Sequence, residues 1–403
     1  ELNDIYDITE EDVNNIIKSL HSLYIHKEHF QLTQKIIEVL STYGDRVIEE
    51  ENIKELESLL KAIFAIIIKE DFVIPQIYAR SFIFLSSVIS NLTSITDLKN
   101  TDQYISLFPY KISVQTNTLI KLLALYSLRN EIKIDYNYFF SIAPDLSSYW
   151  YWHHFDNTFM MDDEISQLNA EKHLENVTII GDRLLLPSRP DTPYFKATYI
   201  HPDNDRFVKE KINQLIKEKY ATDRKFNNNT SRPEQSSLFP TRKKIAVLSN
   251  NLQNKHVIHR CLYEFIKTLS EDYDLTLITL DRWKTGTDIK IFKELRQIKL
   301  EKGRLDLSAI EKNEFVMAYY PDIGINAESI ILSNLRIAPI QVVGYGHPVS
   351  TFGSEIDYYI AGYETESLAH IEENYSERVV LIPGLGMRSP YPTYERKYPA
   401  KKD

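Results

Sequence analysis

The chain has 403 residues, with 57 acidic against 47 basic side chains and a formal net charge of −10. That balance disfavours a nucleic-acid binder, whose phosphate contacts require a clustered cationic surface. The short run Thr241-Arg-Lys-Lys244 reads instead as a solvated lead-in to a strand. With 43 % hydrophobic and 26 % charged residues, the composition allows two or three domains, each with its own core.

Cys261 is the single cysteine, which rules out an intramolecular disulfide and fits a reducing compartment. It sits among Leu262, Phe265 and Ile266 and reads as core packing rather than as a nucleophile. No segment is apolar for long enough to span a membrane, since the best candidate, 59–68, is interrupted by Lys61. The acidic, polar N-terminus is unlike a signal peptide, so a cytoplasmic location is expected.

Residues 1–225 read as an all-helical domain. Val13, Ile16, Ile17, Leu20 and Leu23 recur at helical spacing in 10–23, with Thr9 as cap and Glu10, Glu11 and Asp12 in the first turn. Segments 30–40, 53–68, 75–89 and 118–128 repeat the pattern, with Gly44 and Pro109 as punctuation and no fixed repeat period. The run Ser148-Tyr-Trp-Tyr-Trp-His-His-Phe155 is either a buried helix, the favoured reading, or a stacking platform. His153 and His154 are adjacent and face different sides of a helix, a poor metal pair. After an amphipathic helix at 210–220, residues 226–242 are rich in Asn, Ser, Thr and Pro and read as a linker.

From Lys243 the pattern changes. Short apolar runs at 244–248, 274–280, 315–320, 340–343, 356–360 and 379–382 read as strands. Helical patterns at 257–269, 288–295, 306–312 and 327–334 lie between most of them. The expected fold is therefore α then α/β: a helical domain, then one doubly wound parallel-sheet lobe over 243–390, then a tail over 391–403.

Ligands of such sheets bind past the carboxyl ends of the strands. The loops there are Ser249-Asn-Asn-Leu-Gln-Asn-Lys-His256, Pro321-Asp-Ile-Gly-Ile-Asn326 and Gly344-Tyr-Gly-His-Pro-Val-Ser-Thr351. They carry neutral hydrogen-bonding groups beside helix starts, a suitable environment for a diphosphate or sugar. No dinucleotide fingerprint, P-loop, zinc motif or hydrolase elbow is present.

Three segments in these loops and strands are specific: Ala318-Tyr-Tyr-Pro-Asp-Ile-Gly324, Leu332-Ser-Asn-Leu-Arg-Ile-Ala-Pro-Ile-Gln341 and Gly346-His-Pro348. They resemble the bacterial N-glycosyltransferases that modify adhesins and, more distantly, the O-GlcNAc transferases. Lys255-His-Val-Ile-His-Arg260 resembles the first βα loop of that family. Thr42-Tyr-Gly44, Leu119-Ile-Lys121 and Ile142-Ala-Pro-Asp-Leu146 resemble parts of its helical domain.

The resemblance implies a GT-B enzyme that inverts configuration while moving a hexose or N-acetylhexosamine from a UDP-sugar to Asn or Ser/Thr of a protein, with residues 1–225 as a helical domain of the acceptor-binding type. No metal or other cofactor is expected, and the partners are a protein acceptor and the UDP-sugar. By this resemblance His347 and His256 are the catalytic candidates. Tyr345, Gly346, Pro348, Thr351, Asn250, Asn251, Tyr43 and Lys196 are candidates for contact with substrate. The sequence departs from the family where Asn250, Asn251, Leu252 and Gln253 stand in place of further histidines, and where Lys196 stands for another. The family's second Rossmann-like lobe has no counterpart before Asp403, and 391–397 resembles an interlobe linker. An inactive, polypeptide-binding module is therefore the competing expectation. Asp322 is either a general base or a turn cap. His259 and Arg336 read as structural.

Overall fold

The computed structural model describes residues 9–388, except 46, 109–114, 157–158, 160, 202, 221–242, 255, 280–285, 302–303 and 311–313. The expected linker at 226–242 and tail at 391–403 lie outside the described residues. The chain divides into two compact units, Glu1–Val208 and Lys209–Asp403. Among the described residues no helix is long and apolar enough to cross a membrane.

The first unit is helical: α1 Glu10–Ile25, α2 His29–Gly44, α3 Ile53–Ile67, α4 Ala79–Ser94, α5 Asp102–Ile105, α6 Thr116–Leu125, α7 Tyr136–Ile142, α8 Pro144–His153, α9 Glu164–Ile180 and α10 Asp191–Ile200. Thr9 caps α1 by accepting the Asp12 amide at 3.1 Å. The core is built from apolar stripes: α3 buries Leu56, Leu59, Leu60, Ile63, Phe64 and Ile67, the 3–4 spacing that puts one helical face inward. Each such side chain contributes roughly 1.5–3 kcal/mol by leaving water.

The aromatic run in α8 divides by face. Trp150, Tyr151, His154 and Phe155 are fully buried. Tyr149, Trp152 and His153, at i, i+3 and i+4, line a cavity. The run is thus a mostly buried helix, the favoured reading, with one edge bordering a cavity.

Helix α11, Asp205–Tyr220, carries the chain across the division between the units. The second unit has strands β1 Lys244–Leu248, β2 Asp274–Thr279, β3 Glu294–Gln297, β6 Met317–Tyr320, β7 Ile340–Val343, β8 Tyr358–Gly362 and β9 Arg378–Ile382. They form one seven-stranded sheet in the order β3-β2-β1-β6-β7-β8-β9, every pairing parallel. Strands β4 Leu300–Glu301 and β5 Arg304–Leu305 form a separate antiparallel pair. Among the described residues its further α-helices are α12 Val257–Asp272, α13 Ala327–Ser333 and α14 Ile371–Asn374. Ile258, Leu262 and Ile266 of α12 pack on Ile245, Val247, Leu275 and Leu277 of the sheet.

Two helices expected from spacing are not formed. In 288–295, Ile289, Phe292 and Leu295 mimic a helical stripe, yet the open edge of β2 pairs with Glu294–Gln297, placing Leu277 opposite Leu295. Arg296 then bonds Glu314 at 2.6 Å across the strand end. Ladder pairing and this ion pair outweigh a weak local propensity. In 306–310 the Asp306 carboxylate accepts the Ser308 amide at 3.0 Å and makes a turn instead; 311–312 lie outside the described residues.

Candidate active site at the strand ends

Strands β1 and β6 are sheet neighbours, but the chain leaves β1 toward β2 and leaves β6 toward β7. This is the topological switch point, where the following loops diverge, the place that ligands of such sheets occupy. The loop after β1 begins Ser249-Asn250-Asn251, and the loop after β6 begins Pro321-Asp322.

Asp322 joins them. Its wholly buried carboxylate accepts from Ser249 Oγ at 2.8 Å and from Asn251 Nδ2 at 2.8 Å. Ser249 Oγ also accepts the Asn251 amide at 3.0 Å. With both oxygens committed and no exposed surface, Asp322 positions the loops rather than presenting a base to solvent. Asn250 and Asn251 are brought together here, both buried.

The loop after β7 closes onto the same place. Gly344 donates its amide to the Tyr320 carbonyl at 2.7 Å, and Gly346 donates to Pro321 at 3.1 Å. A Cβ on Gly346 would lie 2.4 Å from the Pro321 oxygen and 2.9 Å from Asp322 Cβ, so only glycine lets the two loops approach. His347 follows, 5 % exposed. Its Nδ1 donates to the Ile323 carbonyl at 3.2 Å, which fixes the proton on Nδ1. Burial, with help from the Lys209 cation, pushes its pKa down to about 3 against the opposing Ile323 bond. His347 is thus a neutral imidazole at ordinary pH, a hydrogen-bonding group rather than a strong base. Tyr359 holds the loop by donating to the His347 carbonyl at 3.1 Å. Tyr345 is half-buried and meets Tyr359 edge to face, while Pro348 is exposed.

His256 is the N-cap of α12. Its Nδ1 accepts the Ile258 amide at 3.2 Å, which leaves Nε2 as the protonated nitrogen of the neutral ring. His259, one turn on, stacks on Tyr263 with ring centroids 4.4 Å apart. Cys261 is partly buried against the β1–β2 core, as its neighbours suggested.

Thr351 faces inward: its hydroxyl bonds Glu377, and its amide donates to the same carboxylate at 2.8 Å. Ser350 donates to Glu377 at 2.7 Å. From α11, Asn213 Nδ2 donates to the Thr351 carbonyl at 2.7 Å, and Lys217 Nζ donates to the Gly353 carbonyl at 2.8 Å. Lys209 Nζ reaches the Ser350 carbonyl at 3.4 Å. Sequence reasoning missed Glu377 and this i, i+4, i+8 stripe of Lys209, Asn213 and Lys217. Its signal was present in the polar positions flanking Ile212 and Ile216.

The segment Arg336-Ile-Ala-Pro-Ile-Gln341 is a brace. Arg336 bonds Asp357 at 2.7 Å and Glu355 at 3.2 Å. Gln341 is fully buried, accepts the Ile337 amide at 3.0 Å and donates to the Glu355 carbonyl at 2.9 Å. The remaining candidates belong to the helical unit: Tyr43 is 5 % exposed in the core side of α2, and Lys196 is half-buried on α10. Among the described residues no group of three or more His, Cys, Asp or Glu side chains is arranged to hold a metal.

A parallel sheet with polar loops gathered at its switch point defines an α/β lobe with a candidate site at its strand ends, and a helical unit precedes it in the chain. No protein-family model matches the chain. Over 76 residues it is 36 % identical to the UDP-glucose:protein N-beta-glucosyltransferase of Actinobacillus pleuropneumoniae serotype 5b (strain L20). It is 34 % identical over 76 residues to the enzyme of the same name from serotype 7 (strain AP76). Each match covers 19 % of this chain and 12 % of the relative. A solved structure of a mutant Thermobaculum terrenum O-GlcNAc transferase aligns with TM-score 0.41 and 10 % identity, over 95 % of this chain and 59 % of that one. The chain is therefore similar to protein N-glucosyltransferases over a limited segment.

Proposed function

We propose that the protein is a glycosyltransferase acting on polypeptides, and that the strand-end loops of its sheet unit face the reacting groups. The 76-residue likeness to two UDP-glucose:protein N-beta-glucosyltransferases carries this reading. The reaction is transfer of a hexose or N-acetylhexosamine from a UDP-sugar to Asn or Ser/Thr. The acceptor heteroatom forms a bond to the anomeric carbon while the bond to the diphosphate breaks on the opposite face. UDP leaves, the acceptor heteroatom gives up its proton to the departing diphosphate or to water, and configuration inverts.

The strand-end groups suit that chemistry. Asn250, Asn251 and the neutral His347 gather uncharged polar groups at the strand ends, beside the His256 imidazole at the start of α12. The helix dipole there favours a developing phosphate charge. Asp322 and Gly346 set the spacing of these groups, and orientation of this kind removes a large part of the entropic barrier to transfer. No metal is assigned a role.

The test is intact-mass spectrometry of a polypeptide acceptor incubated with the protein and a panel of UDP-sugars. A gain of one sugar residue supports the reading. A folded, full-length protein that adds no sugar from any donor contradicts it.

A further inference from the structure

The helical unit contains a cavity of about 470 Å³ that is unrelated to the strand-end loops in its composition. Its floor is the face of α8 bearing Tyr149, Trp152 and His153. Its wall is the segment after α9. Leu185 is fixed there by two bonds: its carbonyl accepts Trp152 Nε1 at 2.7 Å, and its amide donates to Ser148 Oγ at 3.0 Å.

The three residues that follow are different. Leu186, Pro187 and Ser188 line the cavity and belong to no helix or strand. Among the described residues, the amides of Leu186 and Ser188 and the carbonyls of all three make no hydrogen bond. Leu186 and Arg189 each precede a proline, which biases both toward extended backbone. A short extended strip of donors and acceptors thus borders an aromatic floor.

The charged groups of the lining are also unequal. Arg189 pairs with Asp191 at 2.7 Å, and Asp156 pairs with His153 at 2.7 Å. Asp145 lies in the first turn of α8, where the helix dipole favours an anion. Arg80 is exposed, with its guanidinium 5.6 Å over the Tyr149 ring. Among the described residues it has no carboxylate partner. A guanidinium stacked on a ring keeps its N–H edge available for a bidentate carboxylate.

We propose that this cavity docks an extended polypeptide segment carrying a carboxylate side chain. Arg80 takes the carboxylate, the Tyr149–Trp152 face takes a neighbouring apolar side chain, and the Leu186–Ser188 backbone pairs with the peptide main chain. Alternating main-chain donors and acceptors are what a strip of this kind recognises. The inference rests on the reading of the protein as one that acts on polypeptides, but docking requires no sugar transfer.

The probe is a fluorescein-labelled, end-blocked hexapeptide of alternating valine and glutamate, titrated with the protein and read by anisotropy. Saturable binding is expected. Replacing glutamate by glutamine in the peptide, or Arg80→Ala in the protein, weakens it by roughly 10-fold or more. Ser188→Pro, which removes one exposed amide, weakens it several-fold, with matched circular dichroism and melting curves establishing that both variants fold. Absence of saturable binding overturns the proposal, as does equal affinity in the Arg80→Ala variant. Displacement of the peptide by an uncharged oligosaccharide such as maltotriose marks the cavity as a sugar site and overturns it too. Sugar transfer that persists while peptide affinity ignores Arg80 sinks this inference alone and leaves the proposed function standing.

Discussion

Asp322, wholly buried after β6, accepts the Ser249 hydroxyl from the end of β1 at 2.8 Å. This bond ties the two loops that diverge at the switch point of the sheet. In Asp322→Ala the Ser249 hydroxyl and the Asn251 amide lose a buried acceptor. The expected cost is ~3 kcal/mol, because unsatisfied buried groups forfeit their desolvation. Urea denaturation measures it; a loss below ~0.5 kcal/mol is what a dispensable surface carboxylate gives and contradicts the bracing role.

Gly346→Ala forces a methyl to within 2.4 Å of the Pro321 oxygen and 2.8 Å of Ile258 Cδ1. The backbone must shift, which costs about 1–3 kcal/mol, the usual penalty for overpacking. His347 moves with it. Sugar transfer is expected to fall further than stability does, and unaltered turnover refutes the close approach as a requirement of the site.

Gln341→Ala removes the two hydrogen bonds made by this fully buried side chain, one from the Ile337 amide and one to the Glu355 carbonyl. It is expected to destabilise by about 2–4 kcal/mol, whereas Arg336→Lys, with a point charge in place of a fork, costs ~1 kcal/mol. Thermal melting ranks the two, and the reverse order contradicts the brace described for this segment.

The helical unit is expected to weaken in acid. His173 is fully buried, which lowers its pKa to about 4 against the bond from its ring to the Tyr151 carbonyl. His154 is held well below the usual histidine range by burial first, then by nearby His173. Both rings are neutral in the fold, while the unfolded chain takes up protons near pH ~6.5. Their contribution is therefore complete above that value and is lost as pH falls toward about 4. His173→Gln keeps polar partners for the Tyr136 hydroxyl and Tyr151 carbonyl but does not titrate. Denaturation at about pH 7 and pH 5 is expected to show a shallower pH slope in the variant; an unchanged slope contradicts the assignment.

The sequence was legible where one short window contained the cause. Thr9 and the acidic first turn announced α1, and the apolar run 244–248 announced the buried central strand β1. The strand-end position of the candidate loops was legible too, because polar residues after apolar strands have one place to go in a parallel sheet. What those residues do was less so. Thr351 was expected to meet substrate, yet its hydroxyl bonds Glu377, a partner 26 residues away. The stripe of Lys209, Asn213 and Lys217 acts on a loop more than 130 residues later, as the Asn213–Thr351 separation of 138 shows. Such bonds are decided by tertiary approach, which local pattern does not encode. The missed strand β3 has the same origin, since its pairing partner β2 decided it.

In the proposed reaction a neutral His347, in the loop after β7, serves sugar transfer to a polypeptide. It is tested most directly by intact-mass spectrometry of a polypeptide acceptor after reaction with UDP-glucose. The full-length protein is compared with its His347→Ala variant at matched folded concentration. A hexose-sized gain is expected with the wild type and a rate at least ~100-fold lower with the variant, the scale of losing a directed hydrogen bond to a reacting group. Equal rates, or no gain from a folded wild type, would contradict it.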